Sequence, residues 1–218
     1  MELTGKKVNF LGDSITQGIG VKDPANRYPD RLAARYGLIV RNYGIRRTRI
    51  ARQHVPSEDP AKDLDFCGRV AGMDDDADLV LVFGGTNDFG HGDAPLGEMS
   101  DRTPYTFYGA LHTLYGSLIK KYPDAVIVVL TPLHRLQEDD PATNAFRKGY
   151  VPLKRFVEAI REVAEYYALP VLDLHASSGL QPKVPAIRER YVPDGLHPND
   201  AGHAILAERI GAFLTSCI

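Results

Sequence analysis

The sequence predicts an α/β fold in which a parallel sheet is covered on both faces. Three observations predict it. Short apolar runs recur along the chain, segments with helical apolar spacing lie between them, and the first three runs each end in a polar cluster containing glycine. Val8-Asn9-Phe10-Leu11 is the first strand and is followed by the turn Gly12-Asp13-Ser14. Residues 28–37 carry Leu32, Ala33 and Tyr36 at helical spacing, and Gly37 is a C-terminal stop. Residues 38–43 form the second strand, ending in Asn42-Tyr43-Gly44. The runs 79–83 and 125–130 are uninterrupted apolar stretches, as central parallel strands buried on both faces require. Residues 104–121 place Phe107, Ala110, Leu111, Leu114 and Leu118 at steps of three and four, so a helix is expected there, ended by Tyr122-Pro123-Asp124. A longer helix is expected over 150–167 with Pro152 near its start, a fifth strand over 169–174, and a last helix from Asn199 as N-cap to Leu214. The chain shows no internal repeat and no low-complexity tract.

With 218 residues, 44% of them apolar, the chain reads as one domain spanning 1–218. A domain of that size buries about 70 to 75% of the surface of its unfolded chain, enough for a core without disulfides or metals. Twenty-six Lys and Arg stand against 28 Asp and Glu, a net charge of −2. That balance argues against nucleic acid or an acidic membrane as partner, since both are bound through an excess of cations. A small, nearly neutral ligand is expected instead. Cys67 and Cys217 lie far apart and form no CxxC pair, so reduced bystander thiols are expected rather than a redox or zinc motif. The N-terminal apolar stretch is shorter than a secretory signal or a membrane span, and a cytoplasmic location is expected.

In an open parallel sheet, ligands bind beyond the carboxyl ends of the strands, so loops scattered in sequence converge there. Ser14 lies just past the first strand, where a helix start would turn backbone N–H groups toward a developing oxyanion; the plainer role for such a serine is to cap the helix. A serine needs a base to become a nucleophile. In Asp194-Gly195-Leu196-His197-Pro198 a carboxylate and an imidazole stand three residues apart across a glycine turn, so Asp194 can hold Nδ1–H and leave Nε2 to take the serine proton. The plainer reading is an Asx-turn with a bystander histidine. Asn87, in Gly84-Gly85-Thr86-Asn87-Asp88, offers an amide donor that does not titrate, and Gly44 a backbone N–H.

These four blocks, Gly12-Asp13-Ser14, Asn42-Tyr43-Gly44, Gly84 to Asp88 and Asp194 to Pro198, resemble the SGNH (GDSL) hydrolase family. Any one block is weak, but four in order from residue 12 to 198 are specific. The resemblance implies a flavodoxin-like three-layer α/β/α sandwich with a five-stranded parallel sheet, ester hydrolysis, and no cofactor. It implies Ser14 as nucleophile, Asp194 and His197 as the rest of a triad, and Ser14 N–H, Gly44 N–H and the Asn87 side chain as the oxyanion hole.

One departure is visible. Ile45-Arg46-Arg47-Thr48-Arg49 puts bulky cations where similar proteins often carry small residues, either facing the site to meet an anion or forming a charged solvent loop. Asp13, Arg46, His134 and Arg135 are candidate substrate contacts, the last two because they follow the fourth strand at the same sheet edge. His112 and His203 fall on expected helices, and His54, His91 and His175 are read as loop or strand-end residues without a metal-spaced partner. Asp74-Asp75-Asp76 reads as a solvated turn. Neither G-x-S-x-G nor a phosphate-loop or dinucleotide fingerprint occurs. The leading expectation is a short-chain acyl (acetyl) esterase acting on a small or carbohydrate ester. An acyltransferase with the same triad, or a flavin- or phosphate-binding module using the hydroxyls after the first strand, are the alternatives.

Overall fold

The computed structural model describes residues 2–143 and 150–217. Strands β1 (Lys7–Gly12), β2 (Ile39–Gly44), β3 (Leu79–Phe83), β4 (Val126–Leu130) and β5 (Val171–Leu172) form one parallel sheet in the order β2-β1-β3-β4-β5. This is the flavodoxin-like order, with the winding direction reversing between β1 and β3. The helices are α1 (Ser14–Gln17), α2 (Tyr28–Tyr36), α3 (Phe66–Arg69), α4 (Thr86–His91), α5 (Phe107–Lys121), α6 (Leu153–Tyr166), α7 (Leu174–Ser177), α8 (Pro185–Tyr191) and α9 (Asp200–Cys217).

Side chains alternate across the sheet, so the core has two halves. Leu79, Leu81 and Phe83 pack with Tyr28 and Leu32 of α2 and Leu206 and Ile210 of α9. Val80 and Val82 point the other way, onto Leu111 and Leu114 of α5 and Phe156 and Ile160 of α6. The result is the three-layer sandwich, each fully buried Leu or Phe contributing about 1.5–3 kcal/mol. No helix among the described residues is long and apolar enough to cross a membrane.

Several boundaries differ from expectation for local reasons. The helix expected from residue 104 begins at Phe107, because the Thr106 hydroxyl accepts the Gly109 N–H and caps it there. The fifth strand shrinks to Val171–Leu172 because the Asp173 carboxylate accepts the Ala176 N–H and starts α7. Helix α8 buries no residue, so it has no apolar stripe to read. The triple aspartate is exposed, as expected of a solvated turn, and it also gathers ion pairs: Arg41 reaches Asp74 (3.2 Å) and Asp76 (2.6 Å), and Lys121 reaches Asp75 (2.6 Å). Cys67 is a free thiol, and the Cys217 side chain lies outside the described residues.

Candidate active site

Strand β1 ends at Gly12, and Asp13 caps α1 by accepting the Ile15 N–H at 3.0 Å. Asp13, not Ser14, is therefore the cap, and Ser14 takes the first helical position with its hydroxyl free to act. Ser14 Oγ lies 3.0 Å from His197 Nε2, and His197 Nδ1 lies 2.7 Å from Asp194 Oδ2. Asp194 Oδ1 accepts the N–H groups of Leu196 (2.9 Å) and His197 (2.7 Å). The Asx-turn and the triad pair are thus one feature. One oxygen shapes the loop and the other fixes the ring. Partial burial works to raise the Asp194 pKa, but the hydrogen bonds from His197 and Leu196 outweigh it and hold the carboxyl below its ordinary value.

Asn87, in α4, donates from Nδ2 to Thr48 O (2.9 Å), which leaves its second N–H available. Ser14, Asn87 and His197 line one cleft of about 380 Å³, with Arg46, Arg47 and His91 beside them and Ile19 and Leu196 as apolar wall. The structure does not bring Gly44 to this cleft. Its N–H donates to Asn42 Oδ1 (2.8 Å), and it packs so tightly on α1 that a Cβ there would come within 2.2 Å of Gln17 N. Arg47, by contrast, lines the cleft and holds a left-handed backbone, φ 67°. The N–H groups of Ser14 and Arg47 have no acceptor among the described residues. Nothing in the residue type of Arg47 signals this. Arginine favours neither a turn nor positive φ.

Of the cations, Arg46 and Arg47 face the cleft and are exposed, whereas Arg49 is buried on Asp63 (2.8 Å). Asp13 is buried under α1 rather than open to substrate, and burial pushes its pKa up to about 6. His134 and Arg135 do not line the cleft. His134 Nδ1 meets Glu138 Oε2 at 2.7 Å, and Arg135 donates to Thr86 O (3.0 Å) behind α4, with its guanidinium over the Phe89 ring. His91 is helical rather than a loop residue, and His175 does lie just past the end of β5 but 3.8 Å ring to ring from His134, so it is not without a nearby partner.

Two further residues hold the turn after β2 in shape. Asp88 accepts the N–H groups of Ile50 (2.9 Å) and Ala51 (2.8 Å), and burial raises its pKa to about 6. Arg69 reaches Thr48 Oγ1 (2.9 Å), Gly12 O (3.2 Å) and Tyr43 O, joining the ends of β1 and β2 to the turn. Asp88 sits in a block legible in the sequence, but its role there requires the fold. A second cavity, of about 690 Å³, abuts the cleft and shares Arg47 and His91 with it.

Comparisons with known proteins agree with this geometry. One solved structure is 34% identical with a TM-score of 0.86, and a protein from Lactobacillus plantarum is 32% identical with a TM-score of 0.84; both alignments cover 99% of each chain. The carbohydrate acetylesterase Est24 from Sinorhizobium meliloti shares the fold at 21% identity, covering 98% of this chain and 100% of its own, with a TM-score of 0.69. Among curated proteins, none matches the chain. The family model of GDSL-like lipases and acylhydrolases matches residues 10–205. With that match spanning the strands and the loops that carry the cleft, the chain belongs to the GDSL-like lipase/acylhydrolase family.

Proposed function

We propose that the chain is a serine esterase that hydrolyses short-chain acyl esters, acetyl foremost, of small or carbohydrate alcohols. The observation that carries this reading is the continuous hydrogen-bonded line from Ser14 through His197 to Asp194, with the carboxylate fixed by its own loop. Ser14 Oγ attacks the ester carbonyl as its proton passes to His197 Nε2, while Asp194 holds the tautomer and stabilises the imidazolium. The carbonyl oxygen becomes an oxyanion and accepts from Ser14 N–H, Arg47 N–H and Asn87 Nδ2–H. The alcohol leaves with the proton from His197, giving an acyl-enzyme. Water then attacks with His197 as base, and the acid departs as Ser14 regains its proton.

The small cleft and its two apolar wall residues support a short acyl group. Turnover of p-nitrophenyl acetate tests the reading directly. The Ser14→Ala variant is expected to lose at least about 10⁴-fold in kcat/KM, and equal rates in variant and wild type would remove the proposal. A panel of acyl lengths and acetylated sugars tests the substrate class. Faster hydrolysis of long chains than of acetate overturns the preference.

A further inference from the structure

We propose that His134, Glu138 and His175 form a binding site for one divalent transition-metal ion of the zinc type, beside the triad and distinct from it. One donor atom of each residue lies within 4.8 Å of the others. They come from two adjacent strand ends: His134 and Glu138 from the turn after β4, and His175 from α7 after β5.

An ion pair between His134 and Glu138, 2.7 Å apart, accounts for two of the three residues. It leaves His175 unexplained. That residue is 8% exposed, and its Nδ1 is buried with no hydrogen-bond partner among the described residues. Burying such a nitrogen unpaired works against folding, so an imidazole kept there and set against a second imidazole calls for a ligand. A bound ion satisfies both rings at once.

The donor set selects the ion. Two imidazoles and one carboxylate suit zinc and its neighbours, with a water in the fourth position, whereas magnesium and calcium favour oxygen donors throughout. The surroundings fit as well. Lys183 Nζ takes the other oxygen of Glu138, Oε1, at 3.1 Å and so orients the carboxylate while leaving Oε2 toward His134.

The site also touches the catalytic loop. Leu136 N–H donates to Gly195 O at 2.8 Å. Gly195 has φ 78°, and a Cβ there would come within 2.7 Å of Leu136 Cβ, so the turn between His134 and Glu138 is packed on the loop that holds Asp194 and His197. An ion tying that turn to α7 therefore braces the triad from behind without touching the reacting atoms.

The test uses the full chain stripped of metal, titrated with zinc by calorimetry and with cobalt(II) by its visible d–d absorption, with melting temperature as a second readout. The wild type is expected to bind one equivalent and to melt higher when loaded. His175→Ala and Glu138→Gln are each expected to weaken binding by at least about 10-fold, the lower end for loss of even an outer-shell partner. Glu138→Gln keeps the size of the side chain, so it decides the matter if His175→Ala does not fold. His197→Ala is expected to bind as the wild type does. Absence of binding to the wild type overturns the proposal. So does binding that survives Glu138→Gln, or that disappears in His197→Ala, since the ion would then belong elsewhere or to the triad.

Discussion

The two turns beside the nucleophile leave neighbouring strands and each present a free backbone N–H to the same cleft, but they reach that arrangement by different means. The turn after β1 takes its shape mainly from its own residues. Asp13 caps α1, Ser14 occupies an ordinary helical position whose N–H is free because the helix starts there, and the Thr16 hydroxyl meets the Tyr28 hydroxyl at 2.9 Å. The turn after β2 is held from outside. Arg47 adopts a left-handed backbone, which costs a non-glycine residue on the order of 1–3 kcal/mol. Asn87, Asp88 and Arg69 hold the segment in place through Thr48, Ile50 and Ala51. A geometry imposed by distant partners leaves no mark on the residue that carries it.

The largest effect that separates the turns is at Arg47. If its backbone N–H stabilises the oxyanion, Arg47→Pro, which removes the N–H and cannot take positive φ, is expected to lower kcat on p-nitrophenyl acetate by about 10²- to 10³-fold. Arg47→Gly keeps the N–H and relaxes the backbone, so it is expected to stay within a few-fold of the wild type. A glycine variant as slow as the proline variant would move the role from the backbone to the guanidinium and erase the contrast.

The same contrast explains what the sequence makes legible. Ser14, His197 and Asp194 stand out because each role demands a residue type: a hydroxyl, an imidazole, and a carboxylate at the one spacing that lets it serve both loop and ring. The central strands stand out because burial on both faces forces unbroken apolar runs such as Leu79–Phe83. Gly44 was the natural expectation for an oxyanion donor, since glycine allows close backbone approach, yet the approach it allows is to α1 at Gln17. His134 and Arg135 share the expected sheet edge, but they turn to Glu138 and Thr86 once the chain closes. Spacing predicts which edge a residue reaches, not which neighbour wins it there.

His203, behind the turn after β1, and Asp88, behind the turn after β2, respond to acid with opposite signs. The Tyr28 beneath α1 donates its N–H to His203 Nδ1 at 3.1 Å, and burial drives the His203 pKa down from 6.5 to about 4. The native state therefore binds this proton less readily than the unfolded chain, and its stabilisation is present above pH 6.5 and lost as pH falls toward 4. Asp88, raised by burial from 3.8 to about 6, has the opposite sign: its contribution falls as pH rises from about 4 through 6. His203→Asn keeps an acceptor for Tyr28 but does not titrate. Between pH 7 and 5 the wild type is expected to lose roughly 2 kcal/mol more unfolding free energy than this variant, measured by urea denaturation. Equal losses would mean that His203 is not an acid-sensitive support of the turn after β1.

The smallest expected difference concerns charge. The turn after β2 brings Arg46 and Arg47 to the cleft, and neither has an ion-pair partner among the described residues; the turn after β1 brings no cation. On a chain of net charge −2, a local pair of cations acts only over about 10 Å at ordinary salt. Its influence should therefore depend on what the ester carries near the scissile bond. Arg46→Ala is expected to lower kcat/KM about 2- to 5-fold on an acetyl ester bearing a carboxylate, with less loss on a neutral ester of the same size and a difference that shrinks as salt rises. Equal, salt-independent losses on both esters would point instead to the packing of the Arg46 side chain, because Arg46→Ala keeps the backbone N–H that donates to Gln17 Oε1 at 2.7 Å. In that case the side chain's charge would be incidental, and the two turns would not be distinguished by their electrostatics.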